Sequence, residues 1–137
     1  MKPSFFDALE HRPPAEREAA LLAALPLQIA NAQQNSRAMA AVLAGVDATQ
    51  VNTRAALARL PVTRKHALLE RQQAARAVGG SGDVFGGFSS LRFGAHMPRV
   101  FASPGTIYEP EGTRKDYWRM ARSMFAAGFR PGQLIHN

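Results

Sequence analysis

The stretch Ala102-Ser103-Pro104-Gly105-Thr106-Ile107-Tyr108-Glu109-Pro110 decides how this chain is read. Its first half is small and hydroxylated, and a proline–glycine pair interrupts it. The preceding residues, Arg99 to Ser103, predict a short strand, and residues 104–112 read as a loop punctuated by Gly and Pro. Thr113 with Asp116 three residues later resembles a capping box. Tyr117, Met120, Ala121, Met124 and Phe125 then follow helical spacing to Gly128. A loop between strand and helix suits an anion, because small residues let the backbone approach it and hydroxyls donate hydrogen bonds. The stretch is not a Walker A loop, since no Gly-Lys-Ser/Thr ends it. Nor is it a nucleophile elbow, since Pro104 follows Ser103.

Upstream, the chain reads as a series of helices. Pro13 and Pro14 suit a first helical turn, where a missing N–H costs nothing, and Glu16 and Glu18 suit the positive end of the dipole. Leu21, Leu22, Leu25 and Ile29 form an apolar stripe, and Pro26 is expected to kink or divide the helix. Ser36 is a candidate N-cap for a short helix carrying Met39, Val42 and Leu43, with Gly45 ending it. A further helix is expected from Thr53 to Leu60, stopped by Pro61. Another, capped by Thr63, runs through Leu68, Leu69 and Gln72 to Ala77. Gly79-Gly80-Ser81-Gly82-Asp83 reads as a loop, re-entering the core through Phe85-Gly86-Gly87-Phe88. At the far end, Leu134-Ile135 looks like the opening of a buried strand. The fold class is therefore read as α/β: a helical half over residues 1–78, a Gly-rich loop and aromatic re-entry over 79–98, then strand, loop, helix and the start of a strand over 99–137.

The 137 residues suffice for one domain, and 46% hydrophobic with 20% charged residues is globular composition, too apolar for disorder. Seventeen Lys and Arg against ten Asp and Glu give a formal charge of +7, which favours anionic partners. The cations are dispersed along the chain with no run of five or six, so no specific nucleic-acid partner is expected. Without cysteine there is neither a disulfide framework nor a thiolate zinc site. The histidines at 11, 66, 96 and 136 lack the spacing of a helical metal motif, so no metal ligands are assigned. The start, Met1 to Pro14, lacks the apolar central run of a signal peptide, no segment approaches the length of a membrane span, and the expected location is the cytoplasm.

In this setting the central stretch resembles the phosphate loop of phenylacetate-CoA ligases, where the corresponding residues read Ala-Ser-Ser-Gly-Thr-Thr-Gly-Lys-Pro. An arginine at the spacing of Arg99 precedes that loop, and a helix with a tryptophan like Trp118 follows it. Leu60-Pro61-Val62-Thr63-Arg64-Lys65 is similar to the family's Leu-Pro-Phe-Thr-Thr-Lys. The element from Phe85 to Phe88 and the pattern Ala121-Arg122-Ser123, then Ala126-Ala127-Gly128, fall in the same order. The resemblance implies the amino-terminal, incomplete part of the large domain of an adenylate-forming enzyme. Such an enzyme activates a carboxylic acid with ATP and Mg²⁺ to an acyl-adenylate and passes the acyl group to coenzyme A. It implies that Ser103, Gly105 and Thr106 bind the nucleotide phosphates. Catalytic residues stay unassigned, and the remainder of the large domain or another chain is an implied partner.

The loop departs from that pattern. Pro104 removes an N–H, Ile107 replaces a threonine, Tyr108 a glycine, and Glu109 the loop lysine. A carboxylate about 4 Å from a phosphate charge opposes binding by roughly 4 kcal/mol at an effective dielectric near 20. The alternative reading is a non-enzymatic interaction or regulatory module with an aromatic surface around Phe85, Phe88 and Trp118.

Overall fold

The computed structural model describes residues 5–78 and 83–136. The fold is mixed α/β, five α-helices and a two-stranded antiparallel sheet among the described residues. Helix α1 (Pro14–Asn35) places Pro14 at its first turn and Glu16 near its positive end. Pro26 does not divide it: the helix runs unbroken on both sides, so the apolar contacts beyond Pro26 outweigh the one hydrogen bond proline forfeits. Ile29 of α1 joins Leu43 and Val51 in the buried cluster, with Leu25, Ala32, Met39, Val46, Ala56 and Leu60 packed around it. Leu21, which belongs to the same sequence stripe, is 72% exposed, so only the later turns of α1 meet this cluster.

Helix α2 (Arg37–Val42) begins where Ser36 Oγ accepts the N–H of Met39 at 3.2 Å, the expected cap. Gln33 of α1 reaches past its end and donates to the carbonyls of Leu43 and Val46 at 3.2 and 2.8 Å. These carbonyls belong to the helix exit and the turn around Gly45, whose φ of +78° a side chain would resist. Thr53 caps α3 (Arg54–Ala58) through the N–H of Ala56 at 3.1 Å. Helix α4 (Lys65–Ala77) departs from expectation at its start. Thr63 lies outside it, and Arg64 takes the cap position with extended backbone and no side-chain bond.

The glycine run at residues 79–82 lies outside the described residues. From Asp83 onward the chain does re-enter the interior. Phe85 is buried and stacks on Phe93 at 5.3 Å, while Phe88 is half-buried beneath the guanidinium of Arg71. The Asp83 carboxylate accepts the N–H groups of Phe85 and Gly87, folding the segment back on itself. Gly86 and Gly87 then press against α4 and α2. A Cβ on Gly86 would stand 2.9 Å from the Gln72 backbone nitrogen, and one on Gly87 3.1 Å from that of Ala38. The Gly87 carbonyl accepts from both Ser36 Oγ and Ala38 N–H, tying the segment to the start of α2.

Three later expectations do not hold. Residues 104–112 are not one loop: β1 (Arg99–Ser103) turns back into β2 (Ile107–Glu111), antiparallel, with Ser103 opposite Ile107 and Arg99 opposite Glu111. The final helix does not start at Thr113. Asp116 and Arg119 take positive φ, 51° and 59°, which breaks the helical path through Tyr117 and Trp118. Helix α5 (Met120–Ala126) begins afterwards, and the Asp116 carboxylate accepts the N–H groups of Ala121 and Arg122. Leu134-Ile135 forms no strand among the described residues, and the Leu134 side chain is fully exposed.

Candidate functional site

The turn joining β1 to β2 carries all three residues assigned to the phosphates. Ser103 N-terminal to Pro104, and Gly105 with φ of +94°, give the arrangement of a type II turn, closed by Thr106 N–H donating to the Ser103 carbonyl at 2.9 Å. Thr106 itself sits at φ +64°, which completes the three-residue hairpin connection. Gly105 faces open space: nothing lies within 4 Å of where its Cβ would stand. An anion can therefore approach the backbone there. Ser103 Oγ is only loosely held, 3.5 Å from the Ile107 carbonyl, and can turn to another acceptor. The Thr106 N–H, by contrast, is already used inside the turn. The site thus offers an open glycine and two hydroxyls rather than a full ring of backbone donors.

Helix α4 fixes where this turn stands. Gln72, 2% exposed, uses both ends of its amide on one residue of β2: Oε1 accepts the Tyr108 N–H at 2.8 Å, and Nε2 donates to the Tyr108 carbonyl at 3.0 Å. A side chain here replaces a neighbouring strand. One helical turn later, Arg76 donates to the Thr106 carbonyl at 3.1 Å and lies over the Tyr108 ring, 4.9 Å from its centroid. Neither residue is in the sequence motif. Gln72 left a trace, a polar residue continuing the apolar spacing of Leu68 and Leu69, but its partner 36 positions away did not.

Directly opposed residues of an antiparallel pair share a face, so Arg99, Phe101, Glu109 and Glu111 stand together. With Tyr117, Trp118 and Met120 they line a cleft of about 810 Å³. Its anchor is Glu111, 7% exposed. One carboxylate oxygen accepts two N–H groups of Arg99, at 3.1 and 2.5 Å, and the other accepts the Trp118 indole N–H at 2.9 Å. Arg99 and Trp118, both marked by the resemblance, therefore meet on one acid that has no local signal in the sequence. Glu109 is exposed on this strand, not folded into the turn. Phe85 is buried, so an exposed aromatic surface includes Trp118 and Phe101 but not Phe85.

Among the described residues no group of three or more His, Cys, Asp or Glu is placed to hold a metal ion, and no helix is long and apolar enough to cross a membrane. His66 pairs with Glu70 along α4 at 3.4 Å, on the exposed side of the helix. Comparison with models of known protein families, with curated proteins and with solved structures finds no match to this chain.

Proposed function

We propose that the chain is the amino-terminal portion of the large domain of an adenylate-forming acid–coenzyme A ligase of the phenylacetate-CoA ligase kind, with a diverged phosphate loop. The observation that carries this reading is structural adjacency. The two segments with the strongest resemblance, residues 60–65 and 102–110, lie 37 or more positions apart in sequence but belong to one substructure. The first leads into α4, and α4 holds the second through Gln72 and Arg76. In this reading Ser103, Gly105 and Thr106 lie against the phosphates of ATP, with Mg²⁺ arriving on the nucleotide. The carboxylic acid attacks the α-phosphorus and pyrophosphate leaves; coenzyme A then displaces AMP from the acyl-adenylate to give the thioester. This chain's own contribution is to position the phosphates. The remainder of the large domain, or another chain, packs on the Phe101, Trp118 and Met120 face, where each side chain is 44–62% exposed. The location is cytoplasmic.

The test is formation of AMP and pyrophosphate from ATP by the full-length protein, dependent on an aryl or other carboxylic acid and on coenzyme A. Acid-independent hydrolysis, or no turnover across aryl and alkyl acids, would remove the ligase reading. Within it, Glu109→Lys should bind Mg·ATP more tightly than Glu109→Gln, and both more tightly than the unaltered protein. Each charge step contributes about 1 kcal/mol at an exposed position. Equal affinities for all three would place Glu109 away from the nucleotide.

A further inference from the structure

The turn lacks the lysine that its resemblance calls for, and Glu109 stands in the corresponding sequence position. The fold nevertheless brings a cation to this turn from elsewhere. Arg76, in the last turn of α4, contacts Thr106 across 30 residues of sequence. Its guanidinium has five N–H donors in a rigid fork. One engages the Thr106 carbonyl at 3.1 Å, and a second stands 3.5 Å from Gln72 Oε1, the limit of a hydrogen bond. The Tyr108 ring lies beneath the group, its centroid 4.9 Å from the guanidinium carbon. Donors remain for a ligand, and the neighbouring Gly105 leaves open space for one.

Resting on the ligase reading of this turn, we propose that Arg76 is a phosphate-binding residue, supplying from α4 the positive charge that the loop itself has lost. The ligand class is a polyphosphate chain, carried by ATP. Two features meet beside the Thr106 carbonyl: an open positive-φ glycine at Gly105, and a guanidinium that lies over the Tyr108 ring. The alternative for Arg76 is purely structural, since a cation near a helix C-terminus complements the dipole and the Thr106 bond braces the hairpin.

The two roles separate by ligand. Binding of Mg·ATP, tripolyphosphate and adenosine is measured by calorimetry on the full-length protein and its Arg76→Gln and Arg76→Lys variants. Arg76→Gln should weaken Mg·ATP and tripolyphosphate by about tenfold or more, the scale of one charge-assisted hydrogen bond, and leave adenosine unchanged. Arg76→Lys, which keeps the charge and loses the fork, should fall between. Tripolyphosphate binding equal in Arg76→Gln and the unaltered protein would overturn the proposal, as would no polyphosphate binding by the unaltered protein. A parallel loss of adenosine affinity would also overturn it, by assigning Arg76 a bracing role. The ligase reading fails separately: absence of acid-dependent AMP formation removes it, while Arg76-dependent tripolyphosphate binding would still stand.

Discussion

A buried glutamine brings a carbonyl and an amide out of water, and each left unpaired costs about 1–3 kcal/mol. Gln72 escapes this by taking both backbone polar groups of Tyr108, and it relieves Tyr108 of the same problem on the outer edge of β2. Gln72→Leu keeps the apolar volume but strands two backbone groups against hydrocarbon. It is expected to cost about 2–4 kcal/mol in urea unfolding of the intact chain. Gln72→Glu retains the acceptor for the Tyr108 N–H but sets a carboxylate against the Tyr108 carbonyl, so it should not restore stability. A leucine variant with an unchanged midpoint would mean that water satisfies Tyr108 and that the glutamine merely fills space.

At the scale of elements, the segment from Asp83 to Phe88 joins α2 to α4, the helix that holds the hairpin. Its two glycines permit approach distances that no other residue allows, with Gly86 at φ +62° against α4. Gly86→Ala should therefore destabilise by more than the roughly 1 kcal/mol of left-handed strain alone, because its Cβ meets helix backbone that cannot step aside. Ser36→Ala loses a helix cap and a bond to the Gly87 carbonyl together, an expected loss of about 1–2 kcal/mol. If either variant unfolds at the same denaturant concentration as the parent, the segment does not couple α2 to α4. These elements also show what was legible beforehand. Ser36 was readable as a cap because capping chemistry is local, and β1 was readable from its apolar residues. Strand β2 was not, since Tyr108-Glu109-Pro110-Glu111 has charges and a proline that sequence pattern assigns to loops. It is a strand because of distant partners: Val100 opposite Pro110, Arg99 on Glu111, and Gln72 on Tyr108. The candidate turn was legible as an open Gly and hydroxyl segment for the same local reason as the cap. Its supports, Gln72 and Arg76, were hidden because 30 to 36 residues separate them from it.

Over the whole molecule, a formal charge of +7 does not leave every arginine facing solvent alone. Arg54 pairs with Glu18, Arg99 with Glu111, and Arg122 with both Asp7 and Glu10, while Arg130 lies 3.7 Å from the Phe125 ring centroid. The Arg122 clamp has the longest reach, joining the two ends of the described chain across 115 residues. Phe6 packs edge-on against Phe125 and lies under the Arg122 guanidinium, so charge and apolar contact act at one place. Hydrogen bonding to Arg122 holds the Asp7 carboxyl below its ordinary value of 3.8, and the same partnership raises Arg122 further above its own. A carboxyl with a lowered folded-state pKa contributes stability above its unfolded pKa and loses it as pH falls through the folded value. The clamp is therefore intact at neutral pH, weakens as pH drops past about 4, and is gone once Asp7 is protonated in both states. Asp7→Asn should lower the urea midpoint at pH 7 by a gap that shrinks as pH falls below about 4, and that is smaller at high salt because the pair is partly exposed. Arg122→Met should likewise cost less at low pH, since protonation of Asp7 removes the unpaired carboxylate that the substitution leaves there. A gap between Asp7→Asn and the parent that stays constant from pH 7 to pH 2 would mean that Phe6, not charge, fastens the amino-terminal segment to α5.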